Sequence, residues 1–412
     1  MKTTNAILVS TFLFFLVQGV GRAAEERRSL RGTQINRQVL RLTPGITKDA
    51  NRYVDRTEDG VIDALGGSNE TEEAVRQALD WFAKKQQADG HWEETLSPIA
   101  HTGLVMLCYY SYGASHVGEG PYTQTVAKAL EWMLKQVGPK GELMDGGRMY
   151  DHCIGTLALA EAYGASEDKL IREPLEKAIE FLVRAQNPKT GGWRYAPYHV
   201  KAWDGDLSVS GWAFMALTSA EMSGLTVPRQ TKARGLAFLD RVGTGRTKGM
   251  FGYTTPRPSP SMTAEGMYSL ELFQGAKKSP RLDEAVKYLM THLPDKSQEN
   301  FYFWYYGTLS LRLYGGEGWE EWNSRMSPLL LDLQSDDGSW APVGKRAEKE
   351  GRIVTTAWAT LCLEVYYRYT PLGRNNPRQI RGMSLLGTQS NQNQQISPFS
   401  RSSTRPNSGR PQ

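Results

Sequence analysis

Phe82-Ala83-Lys84-Lys85-Gln86-Gln87-Ala88-Asp89-Gly90-His91-Trp92 closes a helix-patterned run, turns at a glycine and delivers a tryptophan, and the chain does this twice more. The other copies run from Leu182 through Gln186 to Gly191-Gly192-Trp193, and from Leu330 through Gln334 to Gly338-Ser339-Trp340. In each copy an apolar residue stands four positions before the Gln, which puts the two on one helix face. The Gly opens a turn that other residues enter poorly, so the Trp leaves it at a fixed angle. The pattern predicts a staple between a helix end and the next element, with the Gln amide satisfying backbone groups left open at helix ends.

Weaker copies lie between. Ala129-Leu130-Glu131-Trp132-Met133-Leu134-Lys135-Gln136 is followed by Gly141 and Leu143, and Gly235-Leu236-Ala237-Phe238-Leu239-Asp240 by Phe251-Gly252-Tyr253. A further unit begins at Ala285-Val286-Lys287-Tyr288-Leu289. Each run is paired with a more apolar segment that opens on small residues: Thr102-Gly103, Gly155-Thr156, Ser210-Gly211, Thr263-Ala264, Gly307-Thr308 and Thr356-Ala357. Continuous apolar stretches such as Leu157-Ala158-Leu159-Ala160 indicate helices buried on most faces. The partner runs are amphipathic, with Val75, Ala78, Leu79 and Phe82 at spacings of three and four. Six hairpins of this kind stack as an open solenoid or close into a ring, and neither end carries a polar capping repeat. The expected fold is therefore all-α, a single closed α/α toroid of about six helical hairpins over residues 69–371.

Outside the ring the composition changes. Lys2, the apolar run Ala6 to Val20 and Gly21-Arg22-Ala23-Ala24 read as a signal peptide over residues 1–24, so the mature chain is expected to be secreted or periplasmic. Residues 25–68 read as a charged, flexible leader, and residues 372–412, rich in Gln, Asn, Ser, Pro and Arg, as a disordered tail. The net charge of +5 is misleading as a single figure. Residues 21–56 hold nine basic and four acidic groups and residues 372–412 six Arg and no acid, which leaves the folded middle net acidic. A nucleic-acid groove is not indicated, while the basic ends suit contact with a membrane or an anionic cell-envelope surface. Three cysteines, Cys108, Cys153 and Cys362, do not describe a disulfide framework.

The apolar-x3-Gln, turn and Gly-x-Trp pattern resembles the repeat of the squalene cyclase and protein prenyltransferase superfamily, whose members are α/α toroids. The similarity covers essentially the whole folded region. It is carried also by Met149-Tyr150-Asp151-His152, Arg184-Ala185-Gln186-Asn187-Pro188, Ser208-Val209-Ser210-Gly211-Trp212 and Glu364-Val365-Tyr366-Tyr367-Arg368-Tyr369, and it is nearest to exported bacterial single-toroid repeat proteins. The resemblance implies a central cavity that binds a hydrophobic isoprenoid or lipid and a chemistry that acts on it.

The catalytic motifs of that superfamily are present only in part. A cyclase protonates an alkene with the Asp of an Asp-x-Asp-Asp motif at an inner-helix start; here Asp204-Gly205-Asp206-Leu207 keeps two carboxylates, so Asp204 and Asp206 are the catalytic candidates. Helix N-capping by Asp206 or Ser208 is the structural alternative. Aromatic faces stabilise carbocations, and Tyr150, Trp212, Tyr268, Tyr302, Trp304 and Tyr305 are expected to line the cavity or, alternatively, to form an aromatic core. Prenyltransferases hold zinc through an Asp-x-Cys pair and a His. Asp151 and Cys153 supply the pair, but His101 precedes it where the family's His follows; no cofactor is expected beyond such a zinc. Two further readings stay open. One is a glycan-active toroid using paired carboxylates among Asp151, Asp204, Asp206 and Glu265; the other is a non-catalytic toroid that binds a small molecule or a protein partner.

Overall fold

The computed structural model of the protein describes residues 66–366 except 96, 145–147 and 276–277. The expected signal peptide, nearly all of the leader and the tail from residue 372 lie outside the described residues. The described helices pair in chain order: α1 (Asn69–Lys85) with α2 (Pro98–Tyr112), α3 (Thr123–Gln136) with α4 (Met149–Ser166), and α5 (Lys169–Ala185) with α6 (Leu207–Met222). Then come α7 (Arg229–Val242) with α8 (Pro260–Gln274), α9 (Pro280–Leu289) with α10 (Phe301–Tyr314), and α11 (Glu317–Leu333) with α13 (Arg352–Leu363). A short α12 (Gly344–Glu350) leads into α13, and a two-residue β-hairpin, β1 (Gly243–Thr244) with β2 (Met250–Phe251), follows α7.

The helices α2, α4, α6, α8, α10 and α13 form an inner ring in which each touches the next and α13 touches α2; outside them α11 touches α1. The fold is thus a closed α/α toroid. Its first helix is started by a reciprocal cap: Ser68 Oγ accepts from the Thr71 N–H and Thr71 Oγ1 accepts from the Ser68 N–H. The inner helices are buried almost all round, as their uninterrupted apolar sequences require, whereas α1 buries mainly the stripe of Val75, Ala78, Leu79 and Phe82. No helix among the described residues is long and apolar enough to cross a membrane.

The repeat is a staple built from four hydrogen bonds in each copy. Trp92, Trp193 and Trp340 each donate their indole N–H, at 2.8 Å, to the carbonyl of the apolar residue that opens the pattern: Phe82, Leu182 and Leu330. Their backbone N–H groups donate to the side chains of Thr102, Ser210 and Thr356, small polar residues near the starts of the inner helices. Each Gln amide donates twice, once to the carbonyl of its own turn glycine and once to a carbonyl in the first turns of the next outer helix: Gln86 to Thr125, Gln186 to Thr231 and Gln334 to Ala74. One amide therefore joins a hairpin turn to its neighbour and holds successive units in register.

Degraded copies use substitutes. After α3 the Leu143 N–H donates to Nδ1 of the buried His152, whose Nε2 therefore carries the proton and donates to the Ala178 carbonyl; burial lowers this imidazole to about 3 and keeps it neutral. After α7 the turn is held by Glu284 of α9, which accepts from the N–H groups of Arg246, Thr247 and Gly249 and from the Thr247 hydroxyl.

Candidate functional site

The inner helices start at one end of the ring, and two chain segments are tied together there. Trp193 and Asp206 form an isolated antiparallel bridge, with the Asp206 N–H donating to the Trp193 carbonyl at 2.8 Å. Asp206 then caps α6, its Oδ1 accepting from the Val209 N–H at 2.9 Å. Its Oδ2 lies 3.7 Å from Nε of Arg194. Burial pushes this carboxyl up to about 6, against the Val209 N–H and the Arg194 charge, which both favour the ionised form. Asp204, two residues earlier, points outward and pairs with Arg241 at 3.2 Å. The two carboxylates of the Asp-x-Asp segment thus occupy opposite environments.

A hydrogen-bonded column crosses the start of the inner ring. The Tyr150 hydroxyl donates to Ser208 Oγ at 2.8 Å, Ser208 lies 2.7 Å from the Tyr302 hydroxyl, and Tyr302 donates to Glu265 Oε2 at 2.8 Å. With Glu265 as the terminal acceptor, Ser208 donates to Tyr302, and all three hydroxyls align in one direction. Burial raises both tyrosines and keeps them as donors. Glu265 is seated against α6 at a position only glycine permits: a Cβ on Gly211 would lie 2.1 Å from Glu265 Oε1.

Below the column, rings from four inner helices converge on the axis. Trp212 stacks parallel to Tyr305 at 6.1 Å and meets Trp358 at 5.5 Å. Trp358 lies 4.8 Å from Tyr305 and 5.8 Å from Tyr302, and Tyr306 joins Trp212, Tyr302 and Tyr268. All of these rings are buried. Tyr302, Tyr305 and Tyr306 share the axial face of α10 at spacings of three and four, while Trp304 packs on Phe301 of its own helix. Five of the six aromatic residues singled out in the sequence are therefore brought together, counting Tyr150 at the head of the column, and Trp304 stands apart.

At the open edge stand groups that the sequence does not single out. The guanidinium of Arg194 lies 5.5 Å from the Tyr195 ring and 5.8 Å from the rings of Trp203 and Tyr253. Tyr195 contacts Tyr150 at 6.0 Å and Trp203 at 6.3 Å, and its hydroxyl bonds that of Tyr253. The Tyr195 carbonyl accepts from the Met149 N–H at the start of α4, and Asn187 Nδ2 donates to the Trp203 carbonyl, so the segment between Trp193 and α6 is pinned at both ends. Its one signal in the sequence is its length, a longer excursion between Trp and inner helix than follows Trp92.

The expected metal ligands are all buried. Burial lowers the pKa of His101 and, with Asp206 and Asp151 adding to it, raises Cys153 well above the usual thiol range. Among the described residues no group of three His, Cys, Asp or Glu side chains is placed to hold a metal ion. All three cysteines are free and buried.

No protein-family model matches the chain, and no curated protein matches it in sequence. Similarity appears among solved structures. The GH76A α-1,6-mannanase of Salegentibacter sp. HEL1_6 aligns over 71% of this chain and 98% of its own, at 11% identity and a TM-score of 0.55; an inactive double-aspartate variant of it, solved with α-1,6-mannotriose, gives 0.54 at 10% identity over the same shares. The type II terpene cyclase MstE from Scytonema, in a variant complexed with geranylgeranyl dihydroxybenzoate as substrate, aligns over 74% of this chain and 98% of its own, at 15% identity and a TM-score of 0.52. The chain has the α/α-toroid fold, which it shares with a terpene cyclase and a glycan hydrolase.

Proposed function

We propose that this toroid binds a hydrophobic small molecule of isoprenoid type at the inner-helix starts, over the axial aromatic cluster. The observation that carries this reading is the convergence of Trp212, Tyr268, Tyr302, Tyr305, Tyr306 and Trp358 on the axis, continued upward by the half-buried rings of Tyr150, Tyr253 and Trp203. Helix packing alone is served by aliphatic residues, as in Leu157-Ala158-Leu159-Ala160; a stack of faces from four helices suits an unsaturated, polarisable guest. The similarity to a terpene cyclase solved with a prenylated substrate supports the same ligand class.

Binding is favoured over alkene protonation by the state of Asp206. Protonating an unactivated alkene calls for an unusually strong acid, and burial makes this carboxyl a weaker one than usual. The glycan reading fits less well: Asp151, Asp206 and Glu265 are buried and Asp204 is on the surface against Arg241, whereas a glycosidase presents two carboxyl groups to one sugar. Titration of the purified protein with geranylgeraniol, followed by tryptophan fluorescence, tests the reading. Saturable quenching that α-1,6-mannotriose does not compete away is expected. No quenching, together with no isoprenoid in solvent extracts of protein purified from its native host, sinks it.

A further inference from the structure

Beyond ligand binding, we propose that Tyr302 is a redox-active tyrosine that gives one electron to an oxidant of the peroxyl-radical class at the mouth, while its phenolic proton passes to Glu265. Loss of an electron turns a phenol from a weak acid into a strong one. A tyrosine is therefore oxidised readily where a base already stands within hydrogen-bond reach of its hydroxyl. Tyr302 meets that condition: its hydroxyl donates to Glu265 Oε2 at 2.8 Å, and both side chains are buried away from water. Tyr306, on the same axial face of α10, is the contrast, since its hydroxyl lies 3.7 Å from Met215 Sδ, a thioether and no base.

Side chains in contact lead from Tyr302 both inward and outward. Inward, its ring lies 5.1 Å from Tyr306 and 5.8 Å from Trp358, which meets Trp212 at 5.5 Å. Outward, Ser208 Oγ joins the hydroxyls of Tyr302 and Tyr150 at 2.7 and 2.8 Å, and the Tyr150 ring lies 6.0 Å from that of Tyr195, which is 38% exposed. An electron thus passes from the axis to the mouth along bonded hydroxyls and neighbouring rings. The peroxyl radical takes that electron with a proton from water and leaves as a hydroperoxide; Tyr302 becomes the neutral tyrosyl radical and Glu265 the neutral acid. A reductant of the thiol class resets the pair. Its electron returns along the same side chains, Glu265 hands the proton back to Tyr302, and two such thiols, each giving one electron and one proton, leave as a disulfide.

Photo-oxidation of the full chain by tris(bipyridine)ruthenium(II) with a cobalt(III) quencher, read by freeze-quench electron paramagnetic resonance, tests this. A neutral tyrosyl signal is expected in the parent protein, lost in Tyr302→Phe and in Glu265→Gln. It should be kept in Tyr288→Phe, a half-buried tyrosine of the outer helix α9. Tyr150→Phe should slow its growth, because the electron leaves by that ring. Glu265→Gln keeps the shape of the side chain and an oxygen for the hydrogen bond and removes only the proton acceptor, so its result decides the matter even where Tyr302→Phe fails to fold. No tyrosyl signal in the parent protein, a signal undiminished in Glu265→Gln, or one lost equally in Tyr288→Phe overturns the proposal. No ligand enters the experiment, so its outcome is separate from that of the geranylgeraniol titration.

Discussion

Gln334 donates its amide to the carbonyl of Ala74, 260 positions earlier in the chain, at 2.9 Å, and to the carbonyl of Gly338 at the same distance. The bond joins the last outer helix to the first. It is the same bond that Gln86 and Gln186 make to the helices following them, applied at the seam of the ring. Gly338 seals the same contact: it has φ +88, and a Cβ on it would lie 2.5 Å from the Gln77 carbonyl oxygen.

The seam is therefore expected to be a point where substitution opens the ring. Gln334→Ala leaves two carbonyls without their donor and should cost roughly 1–3 kcal/mol. Gly338→Ala adds a clash with α1 to the cost of a left-handed conformation, which is itself about 1–2 kcal/mol. Gly118→Ala is the control, since its φ is +90 but a Cβ there meets nothing within 4 Å. Thermal unfolding should rank Gly338→Ala below Gly118→Ala, and hydrogen exchange should quicken first in α1 and α11. Equal melting temperatures for the two glycine variants would show that the seam bears no such constraint.

Glu284 makes an acid-sensitive staple. Desolvation alone would raise its carboxyl, but the Thr247 hydroxyl and the N–H groups of Gly249, Thr247 and Arg246 outweigh it and hold the group down to about 2 from its ordinary 4.5. A carboxyl lowered on folding lends stability that is full above about 4.5 and lost as pH falls through about 2. Glu284→Gln should lower stability at pH 7 and flatten the fall of stability between pH 4.5 and 2. An acid limb identical to that of the parent protein would assign the fall to other carboxylates.

The fold is legible in the sequence because every residue type in the repeat makes a bond of its own: the indole N–H reaches one carbonyl, the Gln amide reaches two, and the glycine packs against backbone. Such residues recur at fixed spacing since no other side chain makes the same bonds. The site is only partly legible. Phe301 to Tyr306 is aromatic at every position, so no periodicity separates Tyr302, Tyr305 and Tyr306 on the axial face from Trp304 beside Phe301. Arg194, Tyr195 and Trp203 belong to a segment between helices where no repeat constrains them, Tyr253 ends a degraded copy of the repeat, and only the folded chain brings the four together. The sequence admits Asp206 as a helix cap, and its bond to the Val209 N–H makes it the cap of α6.

Asp206 should also leave a mark on the pH dependence of folding, opposite in sign to that of Glu284. Its carboxyl is raised on folding from 3.8 to about 6, chiefly by burial. The folded protein thus binds a proton that the unfolded chain has released between those values, and stability from this group falls as pH rises from about 4 to 6 and is level above. At pH 7 the penalty is at most about 3 kcal/mol. Asn caps a helix as well as Asp does, so Asp206→Asn should keep α6 capped, remove the penalty and leave the protein at least as stable as the parent at pH 7, with no fall between pH 4 and 6. Urea midpoints of both proteins at pH 4, 5, 6 and 7 measure this directly. Destabilisation by Asp206→Asn at pH 7 would mean that the charge, through Arg194 at 3.7 Å, outweighs its cost of burial. The aromatic cage would then be held in place by that ion pair and not by ring packing alone.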